Sequence, residues 1–134
     1  MYIVSGCLAG LCCRYDGGDN ADERVMKLVA EGRAVPVCPE QLGGLSTPRP
    51  PCEISEGKVI SNQGADVTES FMRGAEEAFK LAKLTGSKKA ILKARSPSCG
   101  VGKIYDGTFS GRLIEGDGCF AEMLRKEGFE LETE

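Results

Sequence analysis

The chain has 134 residues, 41% hydrophobic and 28% charged, with a net charge of −3 and no histidine. That size suits one ordinary soluble domain, residues 1–134, which needs neither disulfides nor metal simply to fold. The weak negative charge argues against a binder of polymeric nucleic acid, and the lack of histidine excludes Ser-His-Asp triads, Cys-His dyads and His-containing zinc sites.

Tyr2 to Ser5 reads as a short buried strand running into the loop Gly6-Cys7-Leu8-Ala9-Gly10. The turn-rich Asp16-Gly17-Gly18-Asp19-Asn20 leads to a helix over about 21–31, with Val25, Leu28 and Val29 on one face and Gly32 as its stop. Ala34 to Val37 is a second strand ending at Cys38-Pro39-Glu40, and residues 41–51 read as loop. Glu53-Ile54 and Lys58-Val59-Ile60 flank Ser55-Glu56-Gly57 as a small hairpin. Asp66, with Glu69 three positions on, approximates a capping box. The helix it opens carries Phe71, Ala75, Ala78, Phe79 and Ala82 at helical spacing and ends at Gly86. Lys89 to Ala94 is a third strand, opening into Arg95-Ser96-Pro97-Ser98-Cys99-Gly100. Ile104-Tyr105 and Thr108-Phe109 flank Asp106-Gly107, a strong hairpin-turn signal. Asp117 is positioned to cap a last helix with Phe120, Met123 and Leu124 inward, Gly128 stops it, and residues 129–131 form an edge strand. Alternating strands and helices predict an α/β fold: three layers around a small, mostly parallel sheet.

No apolar run approaches a membrane span, and Tyr2-Ile3-Val4 is too short for a signal-peptide core. The expected compartment is the reducing cytoplasm, where seven cysteines, an odd number, do not form a disulfide framework. Three of them, Cys7, Cys38 and Cys99, follow predicted strands. In a parallel sheet, strand carboxyl ends share one edge, where ligand sites form. A single cysteine there is ordinarily a small buried hydrophobe. Three at equivalent positions leave that reading and a shared soft-metal or iron–sulfur centre equally open. No CxxC occurs, so neither a thioredoxin-type pair nor a zinc ribbon is supported. Cys12, Cys13, Cys52 and Cys119 read as packed or incidentally exposed, with Cys12 or Cys13 the exception to watch.

Glu40 and Ser96 lie on the same predicted edge and suit proton transfer. Their ordinary alternatives are a helix-capping carboxylate and a serine bonded to its own turn. Ser98 shares that choice, and Arg14, Arg49 and Lys93 are candidate anchors for a polar ligand.

Several motifs resemble the DUF523, or thiouracil-desulfidase, family. They are Val4-Ser5-Gly6-Cys7-Leu8, Arg14-Tyr15-Asp16-Gly17, Cys38-Pro39-Glu40-Gln41-Leu42-Gly43-Gly44-Leu45, Thr47-Pro48-Arg49-Pro50-Pro51, Ser96-Pro97-Ser98-Cys99-Gly100, Ile104 to Gly111 and Gly116-Asp117-Gly118. The likeness runs in order over roughly residues 2–131. It implies a [4Fe-4S] cluster held by Cys7, Cys38 and Cys99, with one iron open to the thione sulfur of a thiolated pyrimidine such as thiouracil. It also implies acid–base roles for Glu40 and Ser96, and a non-redox replacement of sulfur by water. The expected partner is therefore a small thiolated base. The chain departs from the family's frequent Leu-Leu-Gly after the first cysteine: here Leu8-Ala9-Gly10 is followed by Leu11-Cys12-Cys13. The residues also admit a persulfide carrier using Cys99 without a cluster, or a non-catalytic cluster-binding module.

Overall fold

The structure is a computed structural model describing residues 1–134. Four strands, β1 (Tyr2–Ser5), β2 (Ala34–Val37), β5 (Lys89–Leu92) and β8 (Glu130–Thr133), form a wholly parallel sheet in the order β2-β1-β5-β8. Two antiparallel ribbons accompany it: β3 (Cys52–Ser55) with β4 (Lys58–Ser61), and β6 (Lys103–Tyr105) with β7 (Leu113–Glu115). Helices α1 (Glu23–Ala30), α2 (Pro39–Leu42), α3 (Thr68–Leu84) and α4 (Cys119–Lys126) complete the chain.

The pleat of each central strand divides the core into two layers. Ile3, Ala90 and Leu92 pack with Ala75, Ala78 and Ala82 of α3 and Phe120 and Leu124 of α4. Val4 and Ile91 pack against Val25 and Leu28 of α1. The two clusters make the three-layer α/β architecture that the alternating pattern predicts. Strand order reverses between β1 and β5, so the loops leaving their carboxyl ends diverge and open a crevice.

Several local expectations change. The segment read as loop begins with a helical turn: α2 starts at Pro39, favoured at a first helical position. Residue Val67, not Asp66, caps α3. Asp66 instead accepts from Thr68 N and Oγ1 at 3.0 and 2.6 Å, while Thr68 Oγ1 receives Val59 N and ties the helix to β4. Gly118 occupies the cap of α4, because Asp117 accepts from Gly102 N and pairs with Arg125. The predicted Asp106-Gly107 hairpin does not form; β6 pairs with 113–115, and Thr108-Phe109 sit in the intervening loop. Asp106 closes an Asx turn on Thr108, and Glu53 takes the amides of Gly107 and Phe109, so the strand pairing starts farther out. Finally, β5 stops at Leu92, so Cys99 lies well past the strand, in a separate turn.

Candidate active site

Cys7 lies in a 3-10 turn directly after β1, and Cys38 joins β2 to α2. Cys99 reaches the same place by a longer route. The Ser96–Cys99 turn folds back and docks on the start of α4, with Cys119 N donating to Pro97 O and Phe120 N to Ser98 O at 2.9 Å each. All three thiols, together with Glu40 and Ser96, line one cavity of about 690 Å³ at the carboxyl edge of the sheet. No three Cys, Asp or Glu side chains stand close enough to hold a single metal ion.

Glu40 is held from two sides. Arg49 Nε donates to its Oε1 at 2.9 Å, and Ser98 Oγ donates to Oε2 at 2.8 Å. The ion pair is largely out of water, with side-chain exposures of 6% for Arg49 and 14% for Glu40. Three more Arg49 N–H groups go to Cys13 O, Ser46 O and Thr47 Oγ1. Arg49 is thus a clamp across three segments, with four of its five N–H donors engaged by the protein itself. Backbone packing seats the same carboxylate. A Cβ on Gly74 would collide with Pro39 O, so only glycine lets α3 lie this close to α2.

The two serines divide their work. Ser96 Oγ accepts from Ser98 N at 3.1 Å and Cys99 N at 3.0 Å, which shapes the turn. It also lies 3.0 Å from Ser98 Oγ. With the Ser98 proton directed at Glu40, the free hydroxyl proton of Ser96 points at Ser98, giving a chain Ser96–Ser98–Glu40. Sequence reasoning placed Ser96 on the site and left Ser98 open; the direct contact to Glu40 belongs to Ser98.

The thiols differ electrostatically. Cys7 is lowered to about 6, chiefly by a hydrogen bond from the Cys13 thiol, against the effect of burial and with help from Asn20, Lys93 and Arg14. Cys38 is lowered to about 7, again chiefly through Cys13. Cys13 itself is raised because it carries the proton shared with both neighbours. Cys99 is pushed up to about 12 by burial, opposed by hydrogen bonds to Ser5 and Ser98. A buried, protonated thiol is a poor nucleophile, which disfavours Cys99 as a persulfide carrier.

Sequence reasoning missed Ser5 and Asn20 as site residues and left the choice between Cys12 and Cys13 open. Adjacent residues point apart, so at most one of Cys12 and Cys13 enters; the fold buries Cys13 and leaves Cys12 exposed. Cys52 lines the cavity, raised to about 11 by burial. Cys119 is packed against the α3–α4 core and raised to about 11 by burial, as the packing alternative expects. Arg14 is occupied by Asp16 and Asn20, and Lys93 Nζ reaches Glu134 O. A separate cavity of about 400 Å³ lies between Lys103, Glu115 and Arg125; it is lined by no cysteine, and its Asp117 is already paired.

This arrangement of thiols and carboxylate coincides with a match over nearly the whole chain: the family model for 2-thiouracil desulfurase covers residues 2–134. The chain belongs to the 2-thiouracil desulfurase family. It is a carbon–sulfur bond-cleaving enzyme. A relative in Bacillus subtilis (strain 168), the uncharacterized protein YbbK, is 46% identical over 144 residues, covering 100% of this chain and 95% of its own length. Among solved structures, the [4Fe-4S]-dependent thiouracil desulfidase TudS superposes with a TM-score of 0.94 at 45% identity, covering 99% of this chain and 89% of that one. The DUF523 resemblance read from the motifs and the parallel α/β fold both hold in these matches. No helix is long and apolar enough to cross a membrane.

Proposed function

We propose that this desulfurase removes sulfur from thiolated pyrimidines such as thiouracil by hydrolysis, at a [4Fe-4S] cluster held by Cys7, Cys38 and Cys99. The observation that carries the reading is the convergence of three thiols and the Glu40–Ser98 pair on one cavity. The donor set fits the cluster. It is all sulfur, the donor that iron–sulfur centres favour, and all three thiols line one cavity. Cys7 and Cys38 are already disposed to be thiolates near neutral pH; Cys99 gives up its proton on ligation.

Such a cluster, held by Cys7, Cys38 and Cys99, would supply Lewis-acid activation of the thione sulfur when bound. The chain's residues do the rest. Glu40, fixed by Arg49 and facing the thiols, takes a proton from the incoming water. Ser98 and Ser96 carry protons between Glu40 and the departing sulfur. The balance is thione plus water to carbonyl plus hydrogen sulfide, with no net electron transfer. The substrate is a free small molecule rather than polymeric nucleic acid, and residues 1–134 act as one domain around this site.

Anaerobic reconstitution with iron and sulfide tests this directly. The expected result is a brown protein that converts thiouracil to uracil with equimolar sulfide release, and an iron-free protein that does not. Turnover by colourless protein carrying a trapped persulfide would overturn it. So would a fully loaded protein that acts on no thiolated pyrimidine.

A further inference from the structure

Backbone strain in this molecule is concentrated where the cavity is. Only Glu56, Arg95 and Phe109 adopt positive φ without being glycine. Glu56 belongs to the tight β3–β4 turn, whereas Arg95 and Phe109 both line the cavity that holds the thiols. A bulky residue at φ 55, as at Phe109, is disfavoured by contact of its Cβ with the backbone and persists only where the surroundings impose it.

The surroundings do impose it. Glu53 Oε1 accepts from both Gly107 N and Phe109 N, at 3.0 and 3.1 Å. Asp106 Oδ1 takes Thr108 N at 3.0 Å, and Thr108 Oγ1 lies 2.6 Å from Ser110 Oγ. The loop is pressed so closely onto β3 that a Cβ on Gly107 would come within 2.7 Å of Ser55 Cβ. All this holds in place a ring that the protein does not bury: Phe109 remains 40% exposed. A large apolar side chain, kept out of the core and against its backbone preference at a cavity mouth, serves whatever enters that cavity.

We infer that Phe109 is the specificity-determining wall of the site, stacking on the flat ring of a heteroaromatic thione and so favouring ring substrates over acyclic thioamides. The inference rests on the desulfidase reading above and names the feature of the substrate that the chain itself recognises. Every pyrimidine has a π-face, so stacking selects planarity without reading ring substituents. It acts on binding and leaves the proton chemistry at Glu40 unchanged.

The test uses the cluster-loaded enzyme and the variants Phe109→Gly, Phe109→Leu and Phe109→Trp. Uracil, the flat product, is the binding probe by calorimetry, and thiouracil is the substrate. Loss of a base–aromatic stack weakens binding by roughly 5- to 150-fold. Phe109→Gly should therefore raise the uracil Kd and the thiouracil KM by that factor, with kcat within about twofold. Its melting temperature should be equal or higher, because glycine relieves the strained φ. Phe109→Leu should resemble Phe109→Gly, and Phe109→Trp should restore both constants. Equal uracil Kd in all four proteins would overturn the inference, as would full rescue by leucine, which would mark a merely apolar cover. Loss of cluster or of melting temperature in Phe109→Gly would overturn it by assigning the ring a structural role. If wild type binds uracil but releases no sulfide, the desulfidase reading fails while the Kd comparison still decides the wall. If it does neither, both fail.

Discussion

The two ends of the parallel sheet are built on opposite principles. At the amino end, α1, α3 and α4 each return to a strand through the same turn. Gly32, Gly86 and Gly128 take φ of 71, 66 and 82°, with nothing within 4 Å of their missing Cβ. In each, the glycine N–H bonds back to Val29, Lys83 or Arg125, and the next N–H bonds to Leu28, Ala82 or Leu124. That is a Schellman closure repeated three times, and its chemistry is complete within a few residues. At the carboxyl end no two loops are alike, and side chains from distant segments hold them: Arg49 on Glu40 and Cys13, Ser98 on Glu40, Ser5 on Lys93 N. Local closure gives robust turns. Long-range closure gives a cavity whose groups meet only when the whole fold is present.

If this division is right, damage at the two ends should look different. The largest effect belongs to the thiols. Cys7→Ser, Cys38→Ser and Cys99→Ser should each remove most of the bound iron and sulfide, because a hard hydroxyl replaces a soft thiolate, whereas Cys52→Ser should not. Metal and acid-labile sulfide analysis of reconstituted protein reads this out, and full loading of Cys99→Ser would remove it from the ligand set.

Next comes Glu40→Gln, which keeps the shape and loses the proton. Turnover should fall roughly 10²–10⁴-fold at unchanged cluster content. Near-normal turnover at matched iron would reject the role assigned to Glu40.

The amino end should answer in stability alone. Gly86→Ala places a Cβ in left-handed backbone with no clash, so the cost is conformational, about 1 kcal/mol. That corresponds to a melting-point drop of roughly 2–8 °C, with turnover per folded molecule intact. A loss of activity larger than the loss of folded protein would show that the two ends are not independent.

The smallest effect is titratable. Asp117 is held below the usual carboxylate range by Arg125 first, with burial opposing and Gly102 N–H adding to it. A depressed carboxyl contributes stability above its unfolded value near about 3.9, and loses it as pH falls through the lower folded value. Arg125 is half exposed, so the contribution is under about 1 kcal/mol. Denaturation midpoints measured between pH 5 and 3 should therefore fall slightly more for wild type than for Asp117→Asn; parallel curves would show that the clamp contributes nothing.

Much of this chain is legible without coordinates, and the legible parts share a physical character. The strands β1, β2 and β5, the helical spacing of Phe71, Ala75, Ala78 and Ala82, and the three glycine stops each follow from periodicity or backbone preference over a handful of residues. The carboxyl-edge positions of Cys7, Cys38 and Glu40 follow from those strands once the sheet is parallel.

What the tertiary structure alone decides are choices between neighbours of equal local merit. Cys12 and Cys13 carry the same thiol, and burial beside Val4, Cys7 and Cys38 selects Cys13. Ser96 and Ser98 flank one proline, and only docking of their turn on α4 directs Ser98 to Glu40. The pair Asp106-Gly107 has the chemistry of a tight hairpin, yet the Glu53 carboxylate from another ribbon takes two of the loop's amides and holds Phe109 over the cavity instead. Sequence by itself determined the sheet, its connections and the edge on which the chemistry would gather, because those depend on short-range sterics and on burial of apolar faces. The fold decided which thiol, which serine and which ring reach the cavity, because each is settled by a hydrogen bond or a contact from a segment distant in the chain.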